Sequence, residues 1–286
     1  MADKNQILEL RLTAAKCRKN VLRMVRAGGH GHVGGALSAI DIVTALYFGK
    51  MNIDPDNPEK EDRDRFLLSA GHKCLAQYAV LAERGYFPRE VLDTYGQLGS
   101  RIPGHPDMHK LPGIEANTGA LGHGISIAAG IALSAKISKT NYSVYAITGD
   151  GELTEGSNWE GAAAAAKFML DNLTVFVDYN HLQISGDVTE VMNMEPVDAK
   201  FADFGWAVRV IDGNDMNQIM QVLEALPFCE GKPSLVLCKT VKAKGLSFGE
   251  NQAAFHFWDA SEELICQAEA ELDDEINQIC RKLEKE

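Results

Sequence analysis

The chain has 286 residues, 45% of them hydrophobic, so it is long enough to bury a full core as one large α/β domain or two small ones. Its 40 acidic residues outnumber its 28 basic residues, and the net charge of −12 argues against a nucleic-acid-binding or anionic-membrane surface. No linker-like or repeated segment divides the chain, and we therefore expect a single domain over residues 1–286.

The start of the chain and its cysteines bear on location. Residues 1–6 lack the pattern of a signal peptide, and no apolar stretch approaches the roughly 20 residues of a membrane span. The six cysteines are scattered without a Cys-x-x-Cys pair, which indicates reduced, mostly structural thiols rather than a zinc site or disulfides. We expect a cytoplasmic protein that binds neither nucleic acid nor membrane.

Both ends of the chain are predicted to be helical. Residues 7–27 have apolar side chains at mixed helical spacings and end in glycine, which predicts a helix packed on the core. Residues 261–286 open with Ser-Glu-Glu, a possible N-cap with an acidic first turn, and continue with one apolar face. This second helix is expected to pack within the domain, and a partner-binding face is the alternative.

Four of the eight histidines lie in loop-like sequence, three of them beside glycine. They are His32, His72, His105 and His256. A single histidine in such a place is more often a surface residue or a hydrogen-bonded core residue. Several of them beside a metal-diphosphate site are better explained as imidazoles that bind an anionic cofactor and a polyhydroxylated or phosphorylated substrate. Local chemistry assigns no role to the other four.

A glycine-rich turn at 117–124 leads into an apolar, small-residue run at 125–135 that is predicted to be helical. The start of that helix could bind phosphate. The turn matches neither a P-loop nor a clean dinucleotide fingerprint, and glycines that allow tight helix packing explain it about as well. Both interpretations stay open.

The most informative stretch is Gly-Asp-Gly at 149–151, which follows an apolar run at 142–148. A small-residue helix within 155–170 and a second apolar run at 173–179 come next, and Asn180 follows that run directly. The pattern predicts a βαβ unit within a parallel sheet flanked by helices. Because parallel strands joined in this way end at the same edge, Asp150 and Asn180 are expected to converge there.

The oxygens at this edge suit a hard metal ion. The Asp150 carboxylate, the Asn180 amide and the carbonyl of Leu182 on the same turn would form an incomplete oxygen shell. Mg²⁺ prefers roughly six oxygens and often takes the remainder from phosphates and water. We therefore interpret the site as one for a metal-bridged diphosphate.

The order of these motifs resembles the N-terminal, diphosphate-binding half of transketolase along nearly the whole chain. The motifs that match are GHVGGALS at 31–38, DRFLLSAGH at 64–72, GHP at 104–106, TGALG at 118–122, GDGELTEG at 149–156, DYN at 178–180 and KTVKAKG at 239–245. The resemblance implies an α/β fold of the thiamine-diphosphate-binding type, in which one domain holds the diphosphate.

The resemblance also implies roles for individual residues. The metal ligands would be Asp150, Asn180 and the Leu182 carbonyl, holding Mg²⁺ with Ca²⁺ or Mn²⁺ as substitutes. The residues in contact with thiamine diphosphate would be His72, Gly119, Leu121, Gly151, Gly156, Asn180 and His256. The residues that act on the substrate would be His32, His105 and His256, while Glu155 would join a hydrogen-bond network that reaches the activating glutamate of a facing domain.

The activity implied is transfer of a two-carbon ketol unit from a ketose phosphate to an aldose phosphate. Full-length members of the family continue into a pyrimidine-binding domain with the activating glutamate, and we expect this chain to lack that domain. We therefore expect one subunit of a split transketolase, completed by a C-terminal subunit in a heterotetramer. A truncated chain or an orphan domain is the rival explanation.

Two departures from the family pattern lie near the site. Val33-Gly34-Gly35 replaces a proline-containing sequence, and Lys73-Cys74 follows His72 where small residues are usual. Within the enzyme class, the alternatives are a deoxyxylulose-phosphate synthase-like protein and the α subunit of a 2-oxoacid dehydrogenase. Outside it, the alternative is a non-catalytic cofactor-binding or regulatory module.

Overall fold

The computed structural model describes residues 3–285. Met1 and Ala2, which belong to the start interpreted as lacking a signal peptide, lie outside the described residues. So does Glu286, the last residue of the predicted C-terminal helix.

The described residues form the following strands and helices. The strands are β1 (His30–Gly31), β2 (Arg65–Leu68), β3 (Val144–Gly149), β4 (Leu173–Tyr179), β5 (Ala207–Asp212), β6 (Ser234–Lys239) and β7 (Trp258–Asp259). The helices are α1 (Lys4–Gly28), α2 (Val33–Ala45), α3 (Cys74–Arg84), α4 (Gly124–Ser138), α5 (Gly156–Lys167), α6 (Val188–Met192), α7 (Val197–Asp203), α8 (Met216–Glu224) and α9 (Glu262–Leu283).

A five-stranded sheet forms the centre of the molecule, with strand order β2-β3-β4-β6-β5 and every pair parallel. Strands β3 and β4 are buried along their whole length because helices cover both faces of the sheet. Successive side chains of β3 point to opposite faces, so Tyr145 and Ile147 belong to one hydrophobic cluster while Val144 and Ala146 belong to another. The predicted α/β fold with a flanked parallel sheet is confirmed.

The predicted βαβ unit consists of β3, α5 and β4, and β4 has the predicted bounds. The C-terminal helix α9 begins as predicted, because the Ser261 hydroxyl accepts a hydrogen bond from the Leu264 amide at 3.3 Å. Its buried residues include Ile265 and Leu272, and it packs against α1. The apolar face of α9 therefore packs within the domain, as expected.

Within residues 3–285, one helical segment is long and apolar enough to cross a membrane by length and composition. This corrects the expectation that no apolar stretch approaches the length of a membrane span. The segment is Val33–Lys50, which comprises α2 and the turn that follows it. Inside the protein, 83% of this window is buried. A core helix passes the same test, and a single such segment is weak evidence for a membrane span.

Two features of the fold bring the polar motifs together. The loops that leave the C-terminal ends of β2, β3, β4 and β6 lie at one edge of the sheet, where open α/β sheets bind ligands. A separate antiparallel pairing of β1 with β7 aligns Gly31 with Trp258. Because His32 and His256 flank these two short strands, the pairing brings the centroids of their rings to 5.5 Å, edge to face.

Candidate active site

A cavity of about 330 Å³ opens at this edge of the sheet. Most of the predicted site residues line it, namely His32, His72, Gly119, Leu121, Asp150, Gly151, Asn180, Leu182 and His256. Residues that received no role from the sequence also line it, among them Lys73, Glu152, Gln183 and Lys242. The cavity is therefore built by the loops after four neighbouring strands together with the start of α2.

The predicted metal ligands lie on two adjacent loops. Asp150 is buried, and its two carboxylate oxygens accept hydrogen bonds from the amides of Gly151 at 2.8 Å and His181 at 2.6 Å. The amide oxygen of Asn180 accepts from the Leu182 amide at 3.1 Å. Burial raises the pKa of Asp150 to about 6, against the opposing charge of Lys73. A metal cation would favour the ionised carboxylate.

The donor set fits a hard divalent cation. It offers a carboxylate, an amide oxygen and a backbone carbonyl, which are ligands that Mg²⁺ and Ca²⁺ prefer. The Leu182 carbonyl already accepts a hydrogen bond from the ammonium group of Lys242 at 2.9 Å. Since a carbonyl oxygen has two lone pairs, this bond leaves one of them for a metal ion.

A buried ion pair lies beside the cavity, and one of its members, Lys73, lines it. The Lys73 ammonium group lies 2.5 Å from the Asp178 carboxylate, and their side chains are 4% and 0% exposed. Asp178 also accepts hydrogen bonds from the hydroxyls of Ser38, at 2.6 Å, and of Thr240. The amide group of Asn180 donates to Asp178 at 3.3 Å. Lys73, which departs from the family pattern, thus places a cation next to Asp178. Asp178 in turn accepts a hydrogen bond from the side chain of Asn180, a predicted metal ligand.

Glu152 joins three loops of the site through buried hydrogen bonds. Its carboxylate accepts from the amides of Gly122 at 2.9 Å and Gly149 at 3.1 Å, and from the hydroxyls of Ser69 and Thr148. Every one of these partners donates, so position 152 needs a side chain whose two terminal atoms both accept hydrogen bonds. Glu152 therefore fixes the glycine-rich turn at 117–124 relative to the Gly-Asp-Gly loop.

This arrangement leads to a prediction about stability. Glu152→Gln places an amide NH₂ group opposite at least one N–H or O–H donor, so we expect it to lower the free energy of unfolding by about 1–3 kcal/mol. Thermal denaturation followed by circular dichroism measures the change. Glu160→Gln, at an exposed position of α5, is the matched control and should behave like the unmodified chain. Equal stability of the two variants would contradict the role given to Glu152.

The histidine rings form a cluster at the cavity. Ring centroids of His32 and His72 are 5.4 Å apart, those of His72 and His256 are 5.2 Å apart, and those of His32 and His105 are 6.2 Å apart. Burial lowers the pKa of His72 to about 2, and the charge of Lys73 adds to this. Burial followed by the charge of Lys242 lowers the pKa of His256 to about 3. The imidazoles of His72 and His256 are therefore neutral near pH 7.

Lys242 also orients one of these rings. Burial lowers the pKa of its ammonium group to about 8, so the group remains mostly protonated near pH 7. It lies 3.1 Å from Nδ1 of His256. Because an ammonium group can only donate, Nδ1 accepts and the proton of the neutral ring is on Nε2. His256 thereby has a hydrogen-bond donor on the nitrogen that Lys242 does not contact.

Three predicted residues lie outside the cavity lining. His105 is exposed, but a Cβ atom on Gly119 would come within 2.7 Å of its ring, so it lies against the cavity wall. Glu155 and Gly156 are exposed at the start of α5, and nothing lies within 4 Å of where a Gly156 Cβ would be. Their predicted roles stay predictions.

The space above the Gly-Asp-Gly loop suits an elongated anion. Gly71, which precedes His72, packs so closely on the turn at 117–124 that a Cβ atom there would lie 2.6 Å from the Thr118 carbonyl carbon. The contact leaves His72 and Gly119 on neighbouring walls of the cavity. With the ammonium groups of Lys73 and Lys242 also at the walls, a diphosphate fits the charge of the site.

Lys73, Glu152, Gln183 and Lys242 were missed as functional residues by sequence reasoning. Lys73, Glu152 and Lys242 lie within or next to a recognised motif, and Gln183 follows the predicted metal ligand Leu182, so position gave a signal. The sequence does not show where these side chains point, because the partners of the first three include residues 30 to 105 positions away along the chain. Only the fold shows which of them face the cavity.

Comparisons with known proteins agree with this geometry. Residues 11–274 match the family described as transketolase, thiamine diphosphate binding domain. The chain is 41% identical over 281 residues to one subunit of the apulose-4-phosphate transketolase of Phocaeicola vulgatus, covering 98% of both chains. It is 43% identical over 270 residues to 6-deoxy-6-sulfo-D-fructose transketolase subunit SqwG of a Clostridium species, covering 94% of this chain and 98% of that one. The solved transketolase from Leishmania mexicana superposes with a TM-score of 0.87 at 28% identity, and it covers all of this chain, which spans 45% of that one.

Proposed function

The chain belongs to the transketolase family, and we propose on that premise that it is the diphosphate-binding subunit of a transketolase made of two polypeptides. It has the thiamine diphosphate-binding domain of the family. One observation supports the division into subunits above all others. Relatives named as transketolase subunits match it along 98% of their own length, whereas the solved full-length enzyme is more than twice as long.

In this proposal Asp150, Asn180 and the Leu182 carbonyl hold Mg²⁺, and Ca²⁺ or Mn²⁺ substitutes in the same oxygen shell. His72, Gly151 and His256 contact the diphosphate. Their positions around one cavity support the assignment. Gly119 and Leu121 lie beside the aminopyrimidine, and Gly156, at the start of α5, also contacts the cofactor.

The other predicted residues act on the sugar. When bound, thiamine diphosphate supplies the carbanion chemistry by which the bond beside a ketose carbonyl is broken and remade. His32, His105 and His256 donate hydrogen bonds to substrate oxygens as negative charge develops on them. The low pKa of His256 and the bond from Lys242 to its Nδ1 support this role, because a neutral ring with its proton on Nε2 is a donor already in place.

The partner covers the open side of the cavity. Ile184, which lines the cavity, is 75% exposed, and Met192 on the neighbouring α6 is 57% exposed. Large apolar side chains exposed beside a site are typical of an interaction surface. We propose that a C-terminal subunit with the pyrimidine-binding domain and the activating glutamate packs here, that Glu155 faces that glutamate, and that two copies of each chain form a heterotetramer.

The reaction proposed is ketol transfer from a ketose phosphate to an aldose phosphate. The relatives are named for two different sugars, apulose 4-phosphate and 6-deoxy-6-sulfo-D-fructose. We therefore describe the sugar substrate of this chain only as a ketose with an anionic group. We place the complex in the cytoplasm, a proposal that the six free cysteines support.

The test is a ketol-transfer assay on the complex that co-purifies with this chain from its native source. We expect transfer that requires thiamine diphosphate and Mg²⁺, together with a second polypeptide that has a pyrimidine-binding domain. Transfer by the purified chain alone would contradict the two-subunit proposal. Pyruvate consumption with CO₂ release and no ketol transfer would contradict the proposed reaction.

A further inference from the structure

Gln183 is a residue of the cavity wall that neither the motifs nor the assignments above use. It lies three positions after Asn180, in the loop that follows β4. Its backbone amide donates to the Gly186 carbonyl at 2.8 Å, and Leu182 and Asp187 form a β-bridge around the same turn. This tight turn fixes where the side chain begins.

The side chain lies directly over the Gly-Asp-Gly loop. A Cβ atom on Gly151 would be 2.8 Å from Cγ of Gln183, 3.2 Å from Cδ and 3.5 Å from Nε2. Real Cβ atoms almost never approach another heavy atom as closely as the first of these distances, so Gln183 occupies the space that any other residue at 151 would need. The side-chain amide of Gln183 is thus held against Gly151, which precedes the buried Glu152.

The nitrogen of this amide has no partner. Within the described residues, Nε2 of Gln183 is buried from solvent and makes no hydrogen bond. The carboxylate of Asp150 accepts from the Gly151 and His181 amides and not from this nitrogen. A buried donor without an acceptor costs free energy, and a bound acceptor would remove that cost.

The surroundings define the acceptor as an anion. Lys73 and Lys242 line the same cavity, and among the described residues only the first of them forms an ion pair with a carboxylate, that of Asp178. We propose that Nε2 of Gln183 donates a hydrogen bond to the diphosphate of the bound cofactor. This inference rests on the proposed function and adds to it a residue that the family motifs do not include.

The experiment compares two variants of Gln183 in the complex that co-purifies with the full chain. Gln183→Leu removes the donor, and Gln183→Glu replaces it with a carboxylate. Isothermal titration calorimetry in excess Mg²⁺ gives Kd for thiamine diphosphate and, separately, for inorganic diphosphate. Gln221→Glu, on the exposed face of α8, controls for the added negative charge.

We expect Gln183→Leu to weaken both ligands about tenfold or more, as for loss of a hydrogen bond to a charged group. Gln183→Glu should weaken both further, because its carboxylate faces the diphosphate. Gln221→Glu should bind like the unmodified complex. Circular dichroism and thermal denaturation establish that each variant is folded. If Gln183→Leu is not folded, full affinity in Gln183→Glu overturns the inference.

Two results would overturn the inference while leaving the proposed function intact. One is unchanged affinity in Gln183→Leu for both ligands. The other is loss of affinity in Gln183→Leu with full affinity in Gln183→Glu, which would assign the side-chain oxygen to the hydration shell of the metal ion. Failure of the unmodified complex to bind thiamine diphosphate would instead overturn the proposed function, and this inference with it.

Discussion

Asp150→Asn is expected to weaken the Mg²⁺-dependent binding of thiamine diphosphate strongly and to reduce ketol transfer. The substitution preserves size but removes the negative charge that neutralises the metal ion. It also places an NH₂ group opposite the amide of Gly151 or of His181, both of which now donate to the carboxylate at 2.8 and 2.6 Å. Two hydrogen-bond donors that face each other in a buried site leave a donor without an acceptor. The free-energy cost is about that of losing a hydrogen bond to a charged group.

We expect Kd for thiamine diphosphate in Mg²⁺ to rise about a hundredfold, equivalent to about 2.7 kcal/mol, with transfer at saturating cofactor reduced further. Calorimetry measures the first quantity and a transfer assay the second. Asp187→Asn is the matched control, since Asp187 lies on the loop of the predicted metal ligands and caps α6 by accepting from the Thr189 amide at 2.7 Å. Asparagine caps helices about as well, so this variant should retain activity. Normal cofactor binding in Asp150→Asn would contradict the metal site.

The elements predicted well are those whose sequence pattern reports the tertiary fold directly. Strands β3 and β4 are buried on both faces, so each is a continuous apolar run with a polar residue at its end. Strand β5 received no prediction, and it lies at the edge of the sheet with Arg209 and Val210 exposed. An edge strand needs no continuous apolar run, and its sequence therefore gives a weaker signal.

The same distinction applies to the residues of the candidate site. Asp150 and Asn180 follow strands that a crossover joins, so topology alone predicts that they meet at one edge of the sheet. Glu152 and Asp178 were part of recognised motifs, yet their roles depend on donors from distant loops. Gly122 is 30 residues from Glu152, and Lys73 is 105 residues from Asp178. Local sequence contains no information about which distant side chain completes such a contact.

Lys73→Met is expected to cause the largest loss of stability of any single substitution discussed. Asp178 is fully buried, and its neighbours Ser38, Thr240 and Asn180 provide hydrogen bonds but no compensating charge. Removing the ammonium group leaves a carboxylate uncompensated in the interior. Breaking a buried ion pair in this way costs about 3–5 kcal/mol. Denaturant titration, with the slope checked for two-state behaviour, measures the change.

The double variant Lys73→Met/Asp178→Asn separates loss of the pair from loss of volume. An asparagine at 178 bears no charge, so we expect the double variant to recover part of the stability that Lys73→Met loses, and its deficit to be smaller than the sum of the two single deficits. Lys136→Met is the matched control, because Lys136 pairs with Asp171 at 2.7 Å where the two side chains are 37% and 23% exposed. An exposed pair contributes at most about 1 kcal/mol. Equal losses in Lys73→Met and Lys136→Met, or strictly additive deficits in the double variant, would show that burial of the Asp178 charge is not what makes Lys73 necessary.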